Sequence, residues 1–260
     1  MGEGDVTWVG LVASLSLIAI AIAVSLRERL GLGRDMVVAV VRSAVQLLLV
    51  ALALQLIVDP DTPLAWSWLW VAGIVVFAAV TVRRRAPELP DVLRIALTAN
   101  AVTAAVALGL TFGLGIFPVD GRTVVPIAGM VVGNSMKSCV VVVTALSGLM
   151  ADRRPEIEAR LALGLTGIDA ARPQVRRALR LSISPQIENT KALGIVFLPG
   201  AMTGLILAGV DPVDAVLVQL ALMWIILGAV VVTTATTALA GTRRLFTADQ
   251  RLVRLTRRST

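Results

Sequence analysis

The chain has no histidine and no tyrosine among its 260 residues, and a single cysteine. Without histidine there is no imidazole general base, no His metal ligand and no H-E-x-x-H zinc site. Cys139 stands alone in an apolar run, so no disulfide forms within the chain and its redox compartment is not legible. No G-x-x-x-x-G-K-[ST] phosphate loop occurs, so ATP hydrolysis is not expected of this chain. Charged residues are scarce, at 16%, where a soluble domain carries about a quarter. The net charge of +7 does not point to nucleic acid, because the arginines sit beside hydrophobic segments, where membrane topology explains them.

What is present is lipid-loving. Hydrophobic residues make up 57% of the chain and the mean hydropathy is +0.87. This composition predicts an all-α integral membrane protein with one membrane domain, 1–260. About 20 apolar residues cross the hydrocarbon core. Seven segments qualify: 6–26, 36–58, 64–82, 95–117, 124–150, 181–210 and 213–239. The first reads as a retained span rather than a signal peptide, because acidic Glu3 and Asp5 precede it and no small-residue cleavage site follows. Alternate connections carry 3, 4, 7 and 6 basic residues, and Arg122 alone lies on the other side. By the positive-inside rule the N-terminus is expected outside and the C-terminus in the cytoplasm. Trp8, Trp66, Trp68 and Trp70 fall near outer span ends, as an interfacial belt would.

One long polar stretch, 151–180, interrupts this pattern and is expected in the cytoplasm. Pro155 suits a first helical turn, and Glu156 and Glu158 complement the positive helix end. Gly164 can end that helix in a left-handed conformation. A second helix is expected from Asp169, with Val175, Leu179 and Ile183 on one face. Two short helices bent at a glycine would make a docking surface. A basic amphipathic helix lying on anionic lipid is the other reading. The spacing Glu158-Ala159-x-x-x-x-Gly164 resembles the EAA loop of ATP-binding-cassette (ABC) permeases, whose short helix sits in a groove of the ATPase subunit.

Ionisable groups within a bilayer are costly and mark function by default. Lys137 lies near the middle of the fifth segment, where it must face a cavity, pair with a carboxylate or be neutral. Arg42 and Lys191 are nearer span ends and can snorkel. Glu188 is a helical neighbour of Lys191. Pro185 and the Leu198-Pro199-Gly200 break interrupt the sixth segment, which suits a pathway wall or hinge, or a packing kink. Asn134, Ser135 and Ser138 flank Lys137, and Gln46 and Asn100 add polar groups on other spans. Such residues bond between helices more often than they bind cargo. Lys137 and Ser138 are sequence neighbours on different helix faces, a poor pair for an intramembrane enzyme. Met130, Met136, Cys139 and Met202 are soft potential metal ligands, although methionine in an apolar helix is more often core.

The sixth and seventh segments carry a long motif. It runs through Pro185, Ile187, Lys191, Gly194, Val196, Leu198-Pro199-Gly200, Met202-Thr203-Gly204 and Ile206-Leu207-Ala208-Gly209 to Asp211-Pro212, Ala215 and Gln219. With Pro126-Ile127-Ala128-Gly129-Met130, Gly133-Asn134-Ser135-Met136 and the Arg42–Gln46 pair, it closely resembles the Fet-type iron-export permeases. Bacterial iron exporters and the plant aluminium-sensitivity and aluminium-tolerance membrane proteins belong to that group. The resemblance implies the permease subunit of an ABC exporter in the cell membrane, working as a homodimer with two copies of a separate ATPase. No cofactor is implied on this chain, and ATP and magnesium would sit on the partner. The implied cargo is iron or another metal ion, with a nucleotide sugar of the UDP-glucose kind as the alternative. A secondary transporter or channel without an ATPase is the rival class.

Glu158, Ala159, Gly164, Arg176 and Arg177 are the expected coupling residues. Asn134, Lys137, Glu188, Lys191, Pro199 and Gly200 are the expected pathway or gate, and no catalytic residue is expected. The chain departs from the family pattern at Lys137, at Ala201 and in the polar pair Gln186 and Glu188. A mid-membrane cation at Lys137 would repel bare Fe²⁺, which favours an anionic cargo or a chelate.

Overall fold

The computed structural model describes residues 8–57, 62–195, 198–247 and 249–253. Expectations that fall on Val6, on the Asp59-Pro60-Asp61 loop, on Val196 or on tail arginines Arg254, Arg257 and Arg258 lie outside the described residues. The fold is all α. Its helices are α1 (Trp8–Arg27), α2 (Gly33–Ile57), α3 (Ala65–Arg85), α4 (Val92–Gly113), α5 (Gly121–Asp152), α6 (Arg154–Ala162), α7 (Gly167–Lys191), α8 (Gly200–Leu207) and α9 (Pro212–Arg244). Among the described residues five of these, α2, α3, α4, α5 and α9, are long and apolar enough to cross a membrane, and α1 contributes a shorter apolar stretch, Val12–Arg27. The protein is therefore an integral, multi-pass membrane protein.

The chain forms two compact units, Met1–Thr62 and Pro63–Thr260. In the first, α1 and α2 form a hairpin. Its turn uses left-handed backbone at Arg29 and Gly31. The buried Ser25 hydroxyl accepts the Leu32 N–H at 3.2 Å and so fixes where α2 begins.

In the second unit α3, α4, α5 and α9 pack together, with α7 laid across α5 and α9. Start signals are explicit. Asp120 and Thr123 form a capping box for α5. Asp211 caps α9, accepting the Val213 N–H at 2.8 Å, with Pro212 in the first turn. Two apolar clusters divide the bundle lengthwise. One gathers Val71, Leu108, Val131 and Leu222, at the end where Trp68 meets Phe112 edge to face at 6.3 Å. The other gathers Val82, Leu146, Met150, Ile157 and Leu245, at the end marked by Arg83–Arg85 and Arg243.

Side-chain bonds set a common depth scale. Thr103, midway along α4, is 2.7 Å from the Thr233 hydroxyl of α9. Both lie eleven residues from the arginine end, at Val92 and Arg244, and there Arg244 pairs with Asp91 at 3.0 Å. The two helices are flush at that end. Cys139 contacts Thr237 one turn nearer the arginines, at 3.3 Å. From Cys139, α5 runs on about two turns farther than α9 does. That overhang is where α6 and α7 pack.

The sequence differs from the structure at the sixth segment. The expected second short helix of the polar stretch and the start of span 181–210 are one continuous helix, α7, of 25 residues. Pro185 does not stop it. Proline removes one N–H and crowds the carbonyl four residues back, but the helix before it is anchored by its buried stripe, which includes Ala178 and Ser182. The break comes later, after Lys191, and α8 is only 8 residues long. Segment 181–210 is thus half of α7, a break and a short helix.

Candidate functional site

The polar stretch folds into an elbow. Helix α6 ends at Gly164, where φ is +87°. The Gly164 N–H donates to Leu161 O at 2.9 Å and the Leu165 N–H donates to Arg160 O at 3.2 Å. This is the Schellman arrangement, and the left-handed residue it needs is glycine for lack of a Cβ clash. Thr166 then caps α7, accepting the Asp169 N–H at 3.2 Å. The acidic residues of α6 are paired along the helix: Arg154 with Glu158 and Arg160 with Glu156, each at 2.7 Å. Glu158 therefore holds Arg154, and Ala159 is exposed beside it.

Three apolar side chains surround the bend and are exposed: Leu163 is 81% exposed, Leu165 41% and Ile168 46%. They lie in the most polar part of the chain, where no lipid-facing run explains them. A compact exposed apolar tip on a rigid turn is the form of a protein-docking knob.

A C-terminal hook clamps the elbow from behind. Residues 245–247 and 249–253 turn back after α9, with Phe246 bridged to Leu252 and the Val253 N–H donating to Leu245 O at 2.9 Å. Leu245 and Leu252 are buried in the same cluster as Ile157 of α6 and Ala170 of α7. The Arg154 guanidinium donates to Leu252 O at 3.0 Å and Val253 O at 3.5 Å. Gln250 Oε1 accepts the Gly167 N–H at 2.6 Å. Helices α6, α7 and α9 are thus joined at one point. The hook is not legible in the sequence, because its contacts lie 83 to 99 residues apart along the chain and no local motif marks them.

Helix α7 packs through one stripe, Gly167, Ala170, Ala171, Gln174, Ala178 and Ser182. Arg176 and Arg177 stand exposed roughly three turns beyond Gly164, so they are a separate surface from the elbow tip.

The expected pathway residues fall in two places. Asn134 and Lys137 lie on α5. The Asn134 amide donates to Met130 O at 2.8 Å, a local bond. Lys137 is exposed. It is two residues from Cys139, which places it roughly 3 Å from the level of the Thr103–Thr233 pair. It shares an exposed α5 stripe with Pro126, Gly129 and Val141. Close by, Ser135 Oγ and Asn100 Oδ1 are buried with no hydrogen-bond partner among the described residues. Glu188 and Lys191 form an exposed pair at 2.9 Å at the end of α7. Pro199 is buried and starts α8 with Gly200. Asn134 and Lys137 on α5 are thus apart from Pro199 and Gly200, since α8 packs chiefly on α9.

The soft side chains are spread over two helices, α5 and α8. Met130 and Met136 lie against the Trp68-end cluster, Cys139 is fully buried beside Thr237, and Met202 is on α8. Among the described residues no three His, Cys, Asp or Glu side chains come together as a metal site.

Comparison with known proteins adds a family. Residues 8–246 match the group described as Uncharacterised protein family (UPF0014). The chain is 38% identical over 156 residues to UPF0014 membrane protein STAR2 of Oryza sativa subsp. japonica, covering 60% of this chain and 55% of that one. It is 34% identical over 179 residues to UPF0014 membrane protein YjkA of Bacillus subtilis (strain 168), covering 69% and 71%. It is 30% identical over 159 residues to the probable iron export permease protein FetB of Escherichia coli (strain K12), covering 61% and 60%. The matched stretch therefore spans less than two thirds of the rice and Escherichia coli proteins. No solved structure matches. The match over residues 8–246, on a multi-helix membrane fold, places this chain in the UPF0014 family of membrane proteins.

Proposed function

We propose that this chain is the permease subunit of an ABC exporter, and that the Gly164 elbow is where a separate ATPase subunit docks. The observation that carries the reading is the exposed Leu163, Leu165 and Ile168 tip, held on a glycine-specified turn and clamped to α9 by the hook. A docking element must be accessible at its tip and rigid at its base, and this one is both. Movement of the elbow passes along α7 toward Glu188, Lys191 and the Pro199–Gly200 break. Glu158 contributes by holding Arg154 in the clamp.

In this reading two copies of the chain assemble in the cell membrane, each with seven spans, the N-terminus outside and the elbow in the cytoplasm. ATP and its magnesium belong to the partner ATPase. The sixth span is made of the second half of α7 with α8, and the arginine distribution supports the orientation. The name of the Escherichia coli relative supports iron or another metal ion as cargo. Lys137 supports the second reading, an anionic cargo such as a nucleotide sugar, because an exposed ammonium near the middle of a span attracts anions and repels bare cations.

The test is co-purification and coupling. The full chain is expressed together with a candidate ATPase subunit from the same genome. Leu163→Asp is expected to lose the ATPase from the complex and to abolish transport-linked ATP hydrolysis, with the helix content retained. Retention of a coupled ATPase by Leu163→Asp would remove the elbow from the docking role. Cellular iron in a deletion strain, measured beside nucleotide-sugar uptake by inverted vesicles, separates the two cargo readings.

A further inference from the structure

The charges of the polar stretch are distributed unequally. On α6 both arginines are neutralised by glutamates, and at the start of α7 Arg172 pairs with Asp169 at 2.8 Å. Arg176, Arg177 and Arg180 then follow with no ion pair among the described residues, and all three are exposed. Arg172, Arg176 and Arg180 are spaced i, i+4, i+8, so they stack along one line of the helix. Like charges at that spacing destabilise a helix. The stack is held in place because the opposite face of α7, including Ala171, Ala178 and Ser182, is buried against its neighbours. Asp169, Pro173 and the four arginines border a shallow hollow of about 490 Å³.

Beyond Arg180 the exposed side is mixed, with Ser184, Glu188 and Asn189 among its residues. Leu181 and Ile187 are exposed apolar residues on the same helix. Leu181 follows Arg180 directly and Ile187 lies about two turns farther on, so apolar side chains border the arginine cluster as hydrocarbon borders a headgroup zone. Arginine binds phosphate oxygens through paired N–H donors, and basic side chains at the membrane surface attract anionic lipid.

We infer that Arg176, Arg177 and Arg180 on α7 form a binding site for the phosphate of an anionic phospholipid headgroup, whose acyl chains run alongside Leu181 and Ile187. The inference is independent of the cargo and of the ATPase. It separates the arginine face from the elbow tip: the tip meets a protein and the face meets lipid.

The experiment compares the delipidated full-length chain with the variant R176Q/R177Q/R180Q in neutral detergent. Each is offered equal amounts of phosphatidylglycerol and phosphatidylcholine, and retained lipid is counted by native mass spectrometry. The chain is expected to prefer phosphatidylglycerol by tenfold or more, and the variant is expected to bind both lipids equally. A second variant, R176K/R177K/R180K, keeps the charge and is expected to recover part of the preference, and circular dichroism confirms that the helices remain. An unchanged preference in the glutamine variant overturns the site. So does binding of pyrophosphate by the delipidated chain without any preference between the two lipids, which would assign the arginines to a soluble phosphate-bearing ligand. Unchanged lipid binding with loss of a co-purified ATPase overturns it in favour of an acidic protein surface.

Discussion

The ring of Phe246 occupies the space that a side chain on Gly167 would need: an ideal Cβ there would lie 2.5 Å from Phe246 Cγ. Glycine at the first turn of α7 is what lets the C-terminal hook seat against the elbow. Gly167→Ala is expected to push the ring out and loosen the hook, at a cost of about 1–3 kcal/mol typical of overpacking. Gly164→Ala is a useful contrast. Its Cβ would meet nothing within 4 Å, but its φ of +87° strains any L side chain, at about 1 kcal/mol. Thermal unfolding in detergent should rank Gly167→Ala as the more damaging. The reverse order would mean that the Phe246 contact is easily relieved.

Arg154 makes a second prediction about the hook. Its bonds to Leu252 O and Val253 O hold the returning chain to α6, and its pair with Glu158 is half exposed and adds little. Arg154→Ala is therefore expected to cost about 1–2 kcal/mol, and the loss should be local. Hydrogen exchange should rise in residues 249–253 and around Gly167, and stay unchanged along α3 and α4. Glu158→Ala should produce a smaller change in the same places. A uniform rise throughout the bundle would show that the hook is not a separable clamp.

How much of this could be read from the chain alone differs by element. The long apolar helices were legible because their apolar runs are long enough to fit a bilayer. Gly164 was legible because a left-handed helix end selects glycine locally. The continuity of α7 was not. Pro185 and the change from polar to apolar composition both argue for a boundary, and only packing of Ala178 and Ser182 on neighbouring helices overrides them. Glu188 and Lys191 were expected as helical neighbours and do pair. The hook was invisible because Gln250 and Gly167, or Arg154 and Leu252, carry no sign of each other at a distance. The Thr103–Thr233 and Cys139–Thr237 contacts were hidden for the same reason.

Those threonines supply a third prediction. Thr103 and Thr233 each also donate to or share with a carbonyl of their own helix, Ala99 O at 2.8 Å and Ala229 O at 2.9 Å. Each hydroxyl therefore keeps a partner when the other is removed. A double-mutant cycle of Thr103→Val and Thr233→Val should give a small coupling energy, about 0.6 kcal/mol and under about 1.7. Unfolding in mixed micelles measures it. A coupling of several kcal/mol would show a stronger bond than two back-bonded hydroxyls can make.

Lys137 separates a structural role from a transport role by the sign of its effect on stability. It is exposed on α5 near the level of the Thr103–Thr233 pair. If its ammonium faced hydrocarbon, Lys137→Leu would stabilise the protein by roughly 3 kcal/mol, the difference between the two side chains at a bilayer centre. If it lines a water-filled pathway, the ammonium stays hydrated and the same change leaves unfolding nearly unaltered while transport falls. The pathway reading predicts the second pattern, with Lys137→Arg retaining part of the transport activity because the charge remains. Unfolding of reconstituted protein and vesicle uptake, measured on the same variants, decide it. Stabilisation by Lys137→Leu with normal uptake would place the lysine against lipid and leave the anionic-cargo reading without its support.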